Sequence, residues 1–145
     1  MEEKCLLAKS SSGTEELELL AFDEKDVIRS IVAENLATNE ATLKKLSSDK
    51  AKRVRMEVAR NPNTSQELLL ELANDKEIDI RVALTWGSKK EDKLYEILAK
   101  DKDPFVRRAV ARQTNISLEV LFFLMEDADE SVRETAIKLS KRKTS

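Results

Sequence analysis

The chain has 145 residues, of which 37% are charged and 41% hydrophobic, and its 26 basic and 28 acidic side chains leave a net charge of −2. This balance gives no electrostatic reason to bind nucleic acid or an anionic membrane. The absence of histidine excludes imidazole catalysis and histidine-bound metals, and the single cysteine, Cys5, excludes an internal disulfide or a multi-cysteine metal site. We therefore expect a helical, cytoplasmic protein with no cofactor, no metal and no membrane-spanning segment.

A strict 26-residue repeat organises the sequence. Each complete unit after the first, which is degenerate at its start, has an aliphatic–arginine pair, a second apolar residue four positions after the aliphatic one, two leucine positions and a closing aspartate. The repeat predicts one solenoid domain, 1–145, with units 2–27, 28–53, 54–79, 80–105 and 106–131 and a half unit, 132–145. The pairs are Ile28–Arg29, Val54–Arg55, Ile80–Arg81, Val106–Arg107 and Val132–Arg133.

Each unit is predicted to contain two short helices. The first, such as Val54 to Asn61, carries apolar residues at i, i+4 and i+5, and it ends at Asn61–Pro62 or, in a later unit, at Gly87. Thr64 and Glu67 are predicted to form a capping box. Helices this short are marginal alone in water, so neighbouring units must stack on one another. The predicted caps of the second helices are Asn39, Ser65 and Ser117.

The run from Val54 to Thr64, VRMEVARNPNT, continues to Leu69, Leu72–Ala73 and Asp75. It closely resembles the leucine-rich repeat variant, whose unit reads VRxxVAxNPxT followed by a leucine-bearing segment that ends in LAxD. The stretch from Asp101 to Arg107 is similar to a HEAT repeat. The resemblance implies an all-α, right-handed α-solenoid of about five and a half two-helix repeats, with one helix of each pair of 3₁₀ character. Founding members of the variant family carry an iron–sulfur module with several cysteines, which the lone Cys5 does not supply.

The arginine and aspartate columns have two interpretations. They could form a basic stripe for phosphates, or a ladder in which each aspartate binds an arginine of its own or the next unit. Equal numbers and fixed spacing favour the ladder. Its members are Asp23, Arg29, Asp49, Arg55, Asp75, Arg81, Asp101, Arg107, Asp127 and Arg133.

Trp86, the only tryptophan, interrupts a column of charged residues that is predicted to face solvent: Glu34, Arg60, Arg112 and Lys138. Tryptophan is enriched at binding hot spots. We predict that Arg60, Trp86 and Arg112 form one ridge that suits an acidic peptide with an apolar anchor. The alternative is that Trp86 folds over its own unit and fills the space left by Gly87.

The remaining aromatic residues are expected to be structural. Phe105 is predicted to pack beneath Val106, and Phe122 with Phe123 to cover the end of the stack against the last half helix. Cys5 aligns with Ile31 and is expected to be a buried filler.

The leading functional hypothesis is a monomeric, non-enzymatic repeat scaffold that binds a protein or peptide of unknown identity on its concave surface. The second is a HEAT-like module that binds nucleic acid through Arg60, Trp86, Arg112 and Lys138. The net charge and the single aromatic residue in that column favour the first hypothesis.

Overall fold

A computed structural model describes residues 1–86 and 91–143, and in these two ranges the chain forms eleven α-helices and no strand. The first helices of the repeats are α1 (Glu2–Ser10), α3 (Asp26–Glu34), α5 (Lys52–Arg60), α7 (Ile78–Ala83), α9 (Pro104–Ala111) and α11 (Glu130–Lys143). The second helices are α2 (Thr14–Leu20), α4 (Glu40–Leu46), α6 (Gln66–Leu72), α8 (Asp92–Leu98) and α10 (Leu118–Met125). From α2 and α3 onward, helices of each kind begin 26 residues apart, which is the period of the sequence.

The contacts divide the chain into two compact units, Met1–Leu72 and Ala73–Ser145. In the first unit α1 packs on α3 and α3 on α5, while α2 and α4 pack against these first helices. In the second unit α7 packs on α9 and α9 on α11, with α8 and α10 beside them. Pairs of helices that stack in chain order are the arrangement found in an α-solenoid, so the predicted fold class is confirmed. The single domain, the repeat number and the right-handed twist stay predictions.

The apolar columns of the sequence form the core of each unit. Ile28, Val54, Ile80, Val106 and Val132 are each completely buried. The two leucine columns are also buried, including Tyr95, which takes a leucine position and donates its hydroxyl to Asn115 Oδ1 at 3.3 Å. Burial raises the pKa of the Tyr95 phenol. Short helices therefore persist because each buries one apolar face against its neighbours.

Side-chain caps start several second helices where the sequence predicts them. Asn39 Oδ1 accepts a hydrogen bond from the backbone N–H of Thr42 at 2.9 Å, and Ser117 Oγ accepts one from Val120 at 3.3 Å. Ser65 Oγ accepts from Leu68 N–H at 3.4 Å. These bonds satisfy N–H groups that have no partner within the helix.

Two predictions about the helices are wrong. Thr64 is buried and donates its hydroxyl to the carbonyl of Val58 at 2.6 Å, so it closes the end of α5 instead of forming a capping box with Glu67. All helices in the described ranges are α-helices, whereas the family resemblance implied one 3₁₀ helix in each pair. Gly87, which was predicted to end a helix, lies outside the described residues; in that repeat α7 ends at Ala83.

The phenylalanines are exposed, contrary to the sequence prediction. Phe105 is 62% exposed because Val106, the next residue on α9, occupies the core-facing position, and successive helix residues point about 100° apart. Phe122 and Phe123 are 59% and 49% exposed because Leu121 and Leu124 face the core.

Cys5 is half-buried rather than a core filler. Lys4 pairs with Asp23 across 19 residues, one fewer than the 20 between Arg29 and Asp49. The first repeat is therefore one residue shorter, and Cys5 falls at the position of Ser30, not of Ile31.

Candidate functional site

The ladder arginines bind the aspartate of their own repeat. In the second unit, Arg81 Nε and Nη2 donate to the two carboxylate oxygens of Asp101 at 2.7 and 3.1 Å. The guanidinium is a planar fork whose parallel donors match a carboxylate. The same two-point pairing joins Arg29 to Asp49 and Arg107 to Asp127.

Each arginine also binds the chain just before its helix. Arg81 Nη1 donates to the carbonyls of Asp75 at 2.7 Å and Lys76 at 3.3 Å, and Arg81 is buried. The aspartates likewise fix their own loops, since Asp101 Oδ1 accepts the backbone N–H of Asp103 at 2.8 Å. The side chains in these columns therefore bind one another and the main chain.

The ends of the ladder differ from its middle. Asp23 binds Lys4 at 2.6 Å in place of an arginine. Arg133 donates to the carbonyls of Asp127 and Ala128 at 2.6 and 2.9 Å. In the middle of the ladder, Arg55 donates to the carbonyls of Asp49 and Lys50 at 2.8 and 3.3 Å, as the other arginines do to the residues before their helices. Asp75 Oδ1 accepts the backbone N–H of Glu77 at 2.9 Å.

The guanidinium pairing shifts the ionisation of two aspartates. Hydrogen bonds from Arg29 lower the pKa of Asp49, and hydrogen bonds from Arg107 lower the pKa of Asp127. Burial opposes both shifts but is the smaller cause. These carboxylates are held ionised, which suits a permanent ion pair rather than proton transfer.

Asparagine makes a second set of bonds between repeats, which the sequence reasoning missed. In the first unit, Asn61 Nδ2 donates to the carbonyls of Ala33 and Asn35 at 2.7 and 3.1 Å. Asn35 Nδ2 donates in the same way to Ala8 and Ser11, at 2.8 and 3.0 Å. The signal was present, because both asparagines follow the first helix at the same position of the repeat.

The column that contains Trp86 faces solvent, as predicted. Trp86 is 66% exposed and follows α7, where its N–H bonds to the carbonyl of Ala83 at 3.1 Å. The alternative in which Trp86 packs over its own unit is therefore not what the structure shows. Arg112, the capping residue of α9, is also exposed.

Trp86 and Arg112 lie on opposite walls of a groove between α7 and α9, which we call the α7/α9 groove. Its volume is about 390 Å³. On the α7 side, Ile78 and Val82 extend the apolar surface from Trp86 towards the N-terminal end of α7. On the α9 side, Phe105 lies near the N-terminal end of α9. The described lining residues are Ile78, Asp79, Val82, Trp86, Phe105, Arg108, Ala109, Arg112 and Gln113.

Two arginines, four residues apart, give the α9 wall its positive charge. The guanidinium carbon of Arg108 lies 5.5 Å from the centre of the Phe105 ring, and its Nη1 donates to Ser131 Oγ at 2.9 Å. Arg112 forms no ion pair within the described ranges. Among the described lining residues Asp79 is the one acid, so they combine exposed aromatic surface with a net positive charge.

Arg60, the third predicted site residue, lies in the first unit. It is exposed, and its Nη1 binds Glu57 Oε1 of the same helix at 3.3 Å. Ala109 occupies the position of Glu57 in the Arg112 repeat, so Arg112 has no acid at that place. Trp86 and Arg112 thus line one groove of the second unit, whereas Arg60 belongs to the first unit.

Within the described ranges, no group of three or more histidine, cysteine, aspartate or glutamate residues could hold a metal ion. No helix within residues 1–86 and 91–143 is both long and apolar enough to cross a membrane.

Residues 53–77 match the family model described as "Leucine rich repeat variant". The matched stretch covers α5 from its second residue and all of α6, and it includes Arg55, Asn61 and Thr64, which bind main-chain carbonyls. No curated protein matches the chain. This family is a repeat-scaffold type that generally serves protein interaction. The match agrees with the family resemblance that the sequence predicts, at the repeat whose residues carry it.

Proposed function

We propose that the protein is a non-enzymatic repeat scaffold that binds a segment of another protein in the α7/α9 groove. The observation that carries the proposal is the exposure of Trp86 and Phe105, at 66% and 62%, on the two sides of one groove. Large exposed apolar surfaces rimmed by polar residues are typical of interaction sites. Tryptophan and arginine are also the residues most enriched in binding hot spots.

The surface at the corresponding position of the first unit supports this choice by contrast. There α3 and α5 present Asp26, Glu34, Arg53 and Arg60, so the surface lacks an aromatic residue and has both charges. Stacking of repeats alone does not require exposed aromatic residues, because the α3–α5 pair does without them. The aromatic groove is therefore a property of the second unit that the fold does not demand.

Affinity capture from a lysate of the source cells, with three matched baits, tests the proposal. We expect wild-type protein to retain a partner, Trp86→Ala to lose it, and Phe122→Ala, which removes a similarly exposed aromatic ring outside the groove, to retain it. Loss of a hot-spot tryptophan costs about 2 kcal/mol or more of binding free energy. Because Trp86 is exposed, its replacement should change the free energy of unfolding by only about 0.5 kcal/mol.

Two readouts would contradict the proposal. Equal capture by wild type and Trp86→Ala would place the partner elsewhere. Binding of an oligonucleotide would instead favour the nucleic-acid hypothesis if the logarithm of the binding constant falls with the logarithm of the salt concentration with a slope of about −3 to −4, which corresponds to four phosphate contacts.

Tryptophan emission gives an independent check, since iodide should quench the fluorescence of the lone, exposed Trp86 in the free protein and the bound partner should protect it.

A further inference from the structure

We infer that the α7/α9 groove recognises a linear acidic segment in which two bulky apolar side chains flank the acidic residues. This inference rests on the proposed function and specifies the chemistry of the partner. The segment would place one apolar side chain against Phe105 and Ile78, the other against Trp86, and its carboxylates along the arginine wall.

The dimensions of the groove limit the length of the recognised segment. Phe105 and Arg112 are seven residues apart on α9, which corresponds to about 10 Å along a helix axis. Three or four residues of extended chain, at about 3.3 Å each, cover the same distance. The two apolar side chains of the partner are therefore separated by two or so residues, and those residues face the middle of the groove.

The apolar residues are concentrated at the two ends of the groove. Phe105 stands near the start of α9 and Trp86 follows the end of α7, while the smaller Val82 and Ala109 lie between them. Large aromatic surfaces favour bulky aliphatic or aromatic partners, because the free energy of transfer grows with the apolar area removed from water. Small side chains in the middle leave room for the partner's backbone.

The charges of the lining select acidic over basic segments. Among the described lining residues, Arg108 and Arg112 are two cations and Asp79 is the one acid. Arg108 is already held in place by Ser131 and by the Phe105 ring, so little side-chain freedom is lost when it binds a carboxylate. Arg112 can form a two-point pair with a carboxylate without first breaking an ion pair to a described residue.

A short acidic peptide fits these features better than a nucleic acid strand. A strand carries a phosphate at every nucleotide, whereas the described lining of the groove offers two arginines to bind them. The whole chain is also net negative, at −2, so phosphates outside the groove find no compensating field. A peptide can restrict its charge to the residues that face the two arginines.

Four fluorescein-labelled synthetic peptides test the inference with the full-length protein. They combine two leucines or two alanines with either aspartate and glutamate or asparagine and glutamine between them. Fluorescence anisotropy should show that the acidic peptide with leucines binds best. Neutralising its acids should weaken binding about tenfold, which is the effect of losing one charge-assisted pair.

Charge variants of the protein assign the effect to the groove. Arg112→Ala should abolish the preference for the acidic over the neutral peptide, whereas Arg60→Ala, an exposed arginine already paired with Glu57, should preserve it. Arg112→Glu should reverse the preference, so that a peptide with lysines between the leucines binds better than the acidic one. All of these arginines are exposed, and urea denaturation will verify that each variant folds as wild type does.

The outcomes separate this inference from the proposed function. If acidic and neutral peptides bind equally and Trp86→Ala loses both, the groove binds proteins but the acidic specificity is overturned. If Trp86→Ala leaves peptide binding unchanged, the groove itself is overturned as the binding site. Binding of none of the peptides, equal losses in Arg60→Ala and Arg112→Ala, or tighter binding of a single-stranded oligonucleotide than of the acidic peptide would each overturn the inference.

Discussion

Single arginine side chains connect each repeat to the next. The guanidinium of Arg81 binds a carboxylate twenty residues later and two carbonyls five and six residues earlier. Lysine cannot reproduce this arrangement, because its ammonium lacks the planar fork that meets two acceptors at once. The one lysine in the ladder, Lys4, is at its end, where it binds only the Asp23 carboxylate among its described partners.

We predict that Arg81→Ala lowers the free energy of unfolding by about 1–3 kcal/mol. The change leaves the carboxylate of Asp101 and the carbonyl of Asp75 without their guanidinium donors in a largely buried place. Arg133→Ala should cost less, because Arg133 is more exposed and donates to two main-chain carbonyls, those of Asp127 and Ala128. Urea denaturation of both variants measures the difference.

Arg81→Lys provides the matched control for charge. It keeps the positive charge but removes the two-point pair, so most of the loss should remain. If Arg81→Ala and Arg133→Ala lose the same negligible amount, the arginines are surface charges and the ladder does not stabilise the stack.

The positions and core-facing sides of the helices could be predicted from the sequence. The apolar columns, repeated without insertion from Ile28 onward, give the buried side of each helix, and the predicted caps Asn39 and Ser117 begin α4 and α10. The recurrence of asparagine at positions 35 and 61 indicates a shared role, but not which groups it binds. The partners of Asn61 and Thr64 are main-chain carbonyls, which the side-chain pattern does not identify.

We expect Asn61→Ala to destabilise the protein by about 1–3 kcal/mol. Asn61 is buried, and its amide supplies the hydrogen bonds of two carbonyls on the preceding repeat, Ala33 and Asn35. Its side-chain oxygen also accepts the N–H of Asn63 at 2.9 Å. The midpoint and slope of urea denaturation will report the loss.

Asn63→Ala is the control for this substitution, because Asn63 also donates to a carbonyl of the preceding repeat, that of Leu36, but is exposed. Water can replace that bond, so the control should cost well under half as much. Equal costs at the two positions would show that burial of the Asn61 amide contributes nothing, and that the asparagines act only through the local turn.

The candidate groove could be predicted only in part from the sequence. The charged column predicted that position 86 faces solvent, which the exposure of Trp86 confirms. Ile78 and Phe105 belong to different columns and different repeats, and Phe105 was assigned to the core. Only the side-by-side packing of α7 and α9 brings them to one groove, and such packing has no signature in any single column.

For the whole molecule, we predict a loss of stability in acid that the ladder aspartates cause. The pKa values of Asp49 and Asp127 in the folded protein lie below the ordinary value of 3.8, because arginine hydrogen bonds favour the ionised form. Between the lowered and the ordinary pKa the unfolded chain binds more protons than the folded one, so stability rises with pH there. The contribution is complete above about pH 5 and is lost as the pH falls through the folded values.

Urea denaturation at a series of pH values will measure this contribution through double variants. Asp49→Asn with Asp127→Asn should be less stable than wild type near neutral pH and should lose less on acidification below about pH 4, because the two linked protonations are gone. Glu119→Gln with Glu126→Gln removes two exposed carboxylates and should retain the wild-type acid loss. If the aspartate variant loses as much stability in acid as wild type does, other carboxylates set the acid response and the ladder pairs are not its source.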